Sequence, residues 1–218
     1  MTEEAITIYK QAYRGVKKLF ISEILNLISA VFALVSSLIF VFTAKMSESD
    51  AAIPEAIALV LLFASLLIAV ISLIWKIIGL SNAKRNESLF KTAFGFAIVG
   101  IVCNVVLLFS SGMFENFVSG IEEAATLLTT IYTVLGIYSL ALKLDDRAVI
   151  KAGKLATVVV AIIFAFAVLD RVVGLLVPRL DGLMAIASDV MEVFGSAVLL
   201  TYLAMSKKML AKGKAETA

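Results

Sequence analysis

The sequence predicts an all-α integral membrane bundle of six transmembrane helices with both termini in the cytoplasm. Of the 218 residues, 61% are hydrophobic and 17% are charged, and the mean hydropathy is +1.05. Ordinary soluble domains are about half apolar and a quarter charged. Six apolar stretches are each long enough, or nearly so, to cross a hydrocarbon core about 30 Å thick. The chain is therefore expected to lie in the lipid bilayer.

An amphipathic basic segment over residues 1–18 precedes the first apolar stretch. Ile6, Tyr9, Tyr13 and Val16 share one helical face, and basic residues with one glutamine fill much of the rest. This pattern suits a short helix on the inner leaflet, where anionic lipid headgroups attract basic residues. A soluble amphipathic lead-in is the alternative. The first apolar stretch is long and lacks a small-residue cleavage site, so we expect it to remain as a span.

Six spans follow in a transmembrane domain over residues 19–206, and residues 207–218 form a basic cytoplasmic tail. The second, third and fourth spans contain no charge, and the first contains only Glu23. Pro54 and Pro178 lie at span ends, where proline does not interrupt a helix. Unbroken helices mildly disfavour a secondary transporter. The predicted spans are 19–44, 56–75, 92–114, 124–142, 155–177 and 183–206.

Lysine and arginine indicate the orientation, because short cytoplasmic loops carry an excess of both. Sixteen of the nineteen lie at the amino terminus, in the second and fourth loops, and in the tail. Lys45, Arg171 and Arg179 are the exceptions. Both termini are therefore predicted to face the cytoplasm. The small, loop-poor form is typical of bacterial inner-membrane proteins, so we expect the bacterial cytoplasmic membrane.

Three helix ends resemble one another within the chain. The segments GLSNAKR, ALKLDDR and YLAMSKK end at Arg85, Arg147 and Lys208, which are 62 and 61 residues apart. We interpret the bundle as three repeated helical hairpins. An even-numbered bundle with short loops, without duplication, is the alternative.

Charged residues in the last two spans form a candidate outer cluster. Asp170 lies about 24 Å along its helix from Lys154, and Glu192 lies about 22 Å along the next helix from Lys207. These depths place both near the outer boundary of the hydrocarbon core. An ion-paired clamp that holds the hairpin closed is one interpretation, and a binding or conduction site is the other. The cluster comprises Asp170, Arg171, Arg179, Asp189 and Glu192.

The fourth span carries a line of threonines at helical spacing that begins beneath Glu122 and Glu123, just before the span, and reaches about mid-membrane. A polar vestibule open to the outside is one hypothesis. The other is that the hydroxyls bond to backbone carbonyls or to a neighbouring helix. With the two glutamates, the candidate polar line comprises Glu122, Glu123, Thr126, Thr129, Thr130 and Thr133.

Glu23 and Asn26 lie in the inner leaflet of the first span. Lys17 and Lys18 are not at the three- or four-residue spacing that would place them beside Glu23, so we expect a basic partner from another helix, such as Lys91 or Lys154. The sequence thus predicts an inner-leaflet polar tie between helices.

Residues for catalysis are scarce. The chain has no histidine and a single cysteine, Cys103, and none of the common hydrolase, metalloprotease or nucleotide-binding motifs occurs. We expect no enzyme activity, catalytic residues, metal, cofactor or nucleic-acid partner. The preferred function is a non-catalytic accessory or scaffold protein in contact with anionic lipid headgroups and another membrane protein. A small-solute or ion transporter or channel that uses the outer cluster is the alternative, followed by an intramembrane enzyme.

Overall fold

The chain folds into six α-helices in a computed structural model whose backbone is described over residues 3–44, 46–176 and 181–215. Side chains are described over 10–44, 46–47, 50–112, 114–115, 117–169 and 186–212. These parts of the chain contain no strand, and all six helices include a segment long and apolar enough to cross a membrane. The predicted all-α fold is confirmed. The helices are α1 (Glu3–Thr43), α2 (Glu48–Ala83), α3 (Ser88–Leu107), α4 (Gly112–Lys143), α5 (Arg147–Leu176) and α6 (Asp181–Ala215).

Consecutive helices pair as antiparallel hairpins. In the first pair, Ser22 bonds to Ser72 and Ser29 bonds to Ser65. Residue numbers therefore rise along α1 as they fall along α2, so the two helices are antiparallel. In the second pair, Asn104 bonds to Glu122, and Phe96 stacks on Tyr132. In the third pair, Gly153 lies against Tyr202 and Gly195 against Ile163. Whether the three hairpins are copies of one unit stays a prediction.

The contacts divide the chain into two compact units. Unit 1 comprises Met1–Phe20, Lys76–Val160 and Thr201–Ala218 and therefore contains all of α3 and α4. In its core, the Tyr202 hydroxyl donates to the carbonyl of Val134, and the ring of Phe90 covers Gly136. Unit 2 comprises Ile21–Trp75 and Ala161–Leu200. Large apolar side chains of α2, including Val60 and Phe63, are exposed there, as expected of a lipid-facing surface.

The basic segment at the amino terminus continues into α1 instead of forming a helix of its own. Ala12, Val16 and Leu19 are buried in unit 1, and Gly15 lies directly against Ala83 of α2. Leu19 lies against Gly79 of α2, so at least Gly15 and Leu19 on this face pack on α2. The basic tail is likewise part of the preceding helix, because α6 extends to Ala215. Met209 and Leu210 within it are buried.

The turn between α3 and α4 lies earlier in the chain than hydropathy places it. α3 ends at Leu107, seven residues before the end of the predicted span, and α4 begins at Gly112, twelve residues before the next predicted span. The hydroxyl of Ser110 donates to the carbonyl of Val106, and Gly112 adopts a positive φ of 67°, which favours glycine. Apolar residues continue through this turn, so hydropathy alone does not mark it.

Other helix ends also extend beyond the predicted spans. α2 begins at Glu48, so Pro54 lies inside the helix instead of in its first turn. α5 begins at Arg147, where Asp146 Oδ1 accepts hydrogen bonds from the backbone of Ala148 and Val149. This carboxylate caps the helix and satisfies amides that have no helical partner. Pro178 lies outside the described residues.

Candidate functional site: polar side chains within the spans

Serines in unit 2 join α1 and α2 through paired hydrogen bonds. The Ser22 hydroxyl donates to the Ser72 carbonyl at 2.8 Å, and the Ser72 hydroxyl donates back to the Ser22 carbonyl at 2.8 Å. Ser29 and Ser65 repeat this exchange at 2.9 and 3.1 Å. Ser36 donates to the carbonyl of Ala58 at 2.9 Å. We call these three pairs the serine ladder.

The serine ladder has a seven-residue period on both helices. Positions 15, 22, 29, 36 and 43 of α1 are all Gly, Ser or Thr, and positions 51, 58, 65, 72 and 79 of α2 are all Ala, Ser or Gly. Small side chains allow two helix backbones to approach closely. Small residues four positions apart are common throughout the spans, so that spacing does not identify the contact between α1 and α2. The seven-residue spacing does identify it, because it matches the observed serine pairs.

Asn26, one of the two residues of the predicted inner-leaflet tie, has a described partner on another helix. Asn26 Nδ2 donates to Ser196 Oγ at 2.9 Å, which joins α1 to α6 within unit 2. Glu23 is buried, with 3% of its surface exposed. Its pairing with a basic residue stays a prediction.

Three of the four threonines of α4 turn their hydroxyls toward the helix backbone. Thr129 donates to the carbonyl of Ala125 at 2.8 Å, Thr130 to that of Thr126 at 3.1 Å, and Thr133 to that of Thr129 at 2.7 Å. Thr129 and Thr133 are also buried. A hydroxyl bonded to the carbonyl four residues earlier satisfies its own polarity inside the helix.

The end of this line at Glu122 is a small polar cluster between α3 and α4. Glu122 Oε1 accepts hydrogen bonds from Asn104 Nδ2 at 3.3 Å and from Thr126 Oγ1 at 3.0 Å. Asn104 also donates to the carbonyl of Gly100. Glu123 is half-buried. Asn104 of α3 is not part of the predicted line. The structure connects it directly to Glu122 and, through Glu122, to Thr126.

The candidate outer charge cluster is only partly visible. The side chains of Asp170, Arg171 and Arg179 lie outside the described residues. Asp189 and Glu192 are three residues apart on α6, and Glu192 is exposed. Asp189 Oδ2 is buried and has no hydrogen-bond partner among the residues described. The assembly of these five side chains therefore stays a prediction.

Basic residues near the helix ends of unit 1 have defined partners. Lys143 of α4 forms a salt bridge with Glu87, which immediately precedes α3. The ammonium group of Lys84 lies 3.7 Å from the centre of the Phe94 ring, and that of Lys207 lies 4.4 Å from the centre of the Phe20 ring. Such cation–π contacts hold long lysine side chains in place and leave their charge intact.

An apolar groove of about 530 Å³ lies between α3 and α4. It offers no carboxylate, imidazole or thiol to a substrate. Elsewhere in the described residues, no group of three or more His, Cys, Asp or Glu lies together as a metal site would require. The groove is lined by Phe96, Val99, Phe117, Gly120, Ile121, Ala124, Ala125 and Leu128.

Comparisons with protein-family models, with curated proteins and with solved structures found no match to this chain. Six helices that are long and apolar enough to cross a membrane indicate a multi-pass membrane protein.

Proposed function

We propose that this protein is a non-catalytic accessory or scaffold protein of the bacterial cytoplasmic membrane. The observation that supports this best is the use of polar side chains within the spans. Ser29 and Ser65 bond to each other's backbone, Asn26 bonds to Ser196, and the threonines of α4 bond to their own helix. The serines and Asn26 hold helices together, and three of the threonines are satisfied within α4, so each of these described side chains already has a hydrogen-bond partner within the protein without a solute.

We further propose that both termini face the cytoplasm, with anionic lipid headgroups and another membrane protein as partners. The distribution of lysine and arginine supports this orientation. Lys84 and Lys207 are held over aromatic rings, so their charges are fixed near the helix ends. A fixed positive charge near the bilayer surface attracts anionic headgroups by about 1 kcal/mol.

Cysteine accessibility along α4 tests the scaffold proposal. Because Cys103 is the only cysteine, a Cys103→Ser background allows single cysteines at 122, 123, 126, 129, 130 and 133. We expect a membrane-impermeant maleimide applied outside to label positions 122 and 123 and to leave 129 and 133 unlabelled. Labelling as deep as position 133 would indicate an aqueous path and overturn the scaffold proposal. Labelling of position 133 after detergent denaturation is the control for reactivity.

A second candidate function is a small-solute or ion transporter or channel. The buried Asp189 Oδ2, without a hydrogen-bond partner among the described residues, favours this alternative, because charge near the hydrocarbon is costly unless paired or solvated. If a pathway passes here, Asp189→Asn and Glu192→Gln change flux or ion coupling in proteoliposomes while folded yield stays near wild type. If these residues form a clamp, folded yield falls, and Arg171→Gln together with Glu192→Gln partly restores it.

A further inference from the structure

Three basic residues at the start of α5 share one exposed face of that helix. Arg147, Lys151 and Lys154 are spaced by four and three residues, which places them on the same side, and all three are exposed. The opposite side of the helix packs into unit 1, where Val149 and Ala156 are buried. We call Arg147, Lys151 and Lys154 the α5 triad.

The charges of the α5 triad have no acidic partner within the part of the chain that the structure describes. None of the three side chains forms a salt bridge or hydrogen bond with another described residue. Asp146, which precedes the triad directly, is occupied as the helix cap, because its Oδ1 accepts hydrogen bonds from the backbone amides of Ala148 and Val149. The triad therefore presents positive charge to its surroundings.

The same face becomes apolar directly after the α5 triad. Leu155 follows Lys151 by four residues, and Val158 follows Lys154 by four, so both continue the line of the triad. Leu155 is 61% exposed and Val158 is 56% exposed. A face that changes from basic to apolar within one helical turn matches a phospholipid, in which an anionic phosphate is joined directly to acyl chains.

Other exposed helix faces carry only one half of this pattern. The exposed apolar side of α2 has no lysine or arginine between residues 46 and 75. In α1, Lys10, Arg14 and Lys17 repeat the spacing of the α5 triad and are exposed, but Ile21, which is next on that face, is only partly exposed. The combination of three charges with an exposed apolar continuation distinguishes α5 from these two helices.

We propose that the α5 triad and the adjoining Leu155 and Val158 form a binding site for an anionic phospholipid. The guanidinium and ammonium groups of the triad donate hydrogen bonds to the phosphate oxygens, and an acyl chain lies along Leu155 and Val158. One lipid molecule covers both halves of the face, whereas an acidic peptide covers only the basic half. The site rests on the proposed partnership with anionic headgroups and specifies where on the chain it occurs.

Fluorescence quenching by brominated lipids measures which lipid lies beside this face. Trp75 is the only tryptophan, so a Trp75→Phe background allows one reporter, Val158→Trp, in the full chain reconstituted in vesicles. Val60→Trp, at a 69% exposed position of α2, is the matched reporter. We expect brominated phosphatidylglycerol to bind beside position 158 about fivefold more tightly than brominated phosphatidylcholine, the gain from one well-placed basic residue. The two lipids should bind equally beside position 60.

Removal of charge tests the α5 triad itself. Replacement of all three of its residues by glutamine should abolish the preference for phosphatidylglycerol at position 158. Arg85→Gln, Lys91→Gln and Lys208→Gln together remove the same number of charges from exposed positions at other helix ends and should preserve the preference. Circular dichroism checks that both variants are folded. Equal loss in the two variants, or no preference at position 158 before any charge is removed, would overturn the site.

Failure of this site and failure of the wider partnership with anionic lipid give different results. If phosphatidylglycerol raises the unfolding temperature but shows no preference at position 158, the partnership stands and the site on α5 is wrong. If phosphatidylglycerol has neither effect, both proposals are wrong. Glycerophosphoglycerol, the same headgroup without acyl chains, should leave the preference at position 158 unchanged. Loss of the preference in its presence would show that a free phosphate ester fills the site, contrary to the proposal.

Discussion

Two glycines of α1 and α2 determine how closely these helices approach in unit 1. A Cβ atom built on Gly15 would lie 2.8 Å from the carbonyl oxygen of Gly79 and 2.8 Å from the backbone nitrogen of Ala83. Backbone atoms cannot swing aside as a flexible side chain can. The absence of a side chain at Gly15 is therefore a packing requirement.

Gly15→Ala should lower the free energy of unfolding by about 1–3 kcal/mol, the usual cost of overpacking. Unfolding in detergent micelles, followed by circular dichroism, measures this loss. Gly95→Ala is the matched control, because no atom lies within 4 Å of the place its new methyl group would occupy, and a helix gains about 0.5–1 kcal/mol from this change. Equal effects at both sites would refute the close approach at Gly15.

For single residues, the sequence predicts which polar side chains lie in the spans but not their partners. Thr129 and Thr133 are recognisable by helical spacing, yet rotation about χ1 decides whether a hydroxyl faces the backbone or a neighbouring helix. Asn26 is predicted to tie helices together, and its partner, Ser196, is 170 residues away. Local spacing carries no information about such a distant contact.

Between helices, the serine ladder is the main polar connection described for α1 and α2. The Ser22–Ser72 and Ser29–Ser65 pairs each exchange hydrogen bonds with the opposite backbone, so loss of one hydroxyl leaves its partner only partly satisfied. Measured hydrogen bonds between membrane helices contribute about 0.6 kcal/mol on average and at most about 1.7 kcal/mol. The close packing of small side chains is therefore expected to contribute at least as much as the hydrogen bonds.

Ser29→Ala and Ser65→Ala should each lower the unfolding free energy by about 0.5–1.5 kcal/mol, and the double variant should lose less than the sum. Ser29→Leu should lose more than either, because it separates the helices. Ile28→Ala changes a partly exposed neighbour on the same helix and serves as the control. Strictly additive losses for the serine pair would contradict the ladder.

Hydropathy predicts the number and order of the helices but not where they end. Hydropathy locates spans by apolar content, and polar helix ends such as residues 48–53 and 207–215 contribute little to that signal. Conversely, apolar residues run through the α3–α4 turn, where the hydrogen bond of Ser110 and the positive φ of Gly112 end one helix and begin the next. Local backbone chemistry sets these boundaries.

Across the molecule, the concentration of basic residues at one set of helix ends should make stability depend on lipid charge. We expect a higher unfolding temperature in phosphatidylglycerol vesicles than in phosphatidylcholine vesicles, with the difference reduced at high salt by screening. Lys84→Gln combined with Lys207→Gln should reduce the difference, whereas Glu55→Gln at the opposite end of α2 should not. The same unfolding temperature in both lipids would contradict a role for anionic headgroups.

The depth of every residue discussed above depends on six membrane crossings with both termini inside. Single cysteines in the Cys103→Ser background test this directly: Ser111→Cys in the α3–α4 turn, Arg85→Cys after α2 and Ala211→Cys near the end of α6, all at exposed positions. In intact cells, an impermeant maleimide should label position 111 alone, and positions 85 and 211 should react only after the membrane is opened. Labelling of position 85 or 211 in intact cells, or protection of position 111, would contradict the proposed orientation.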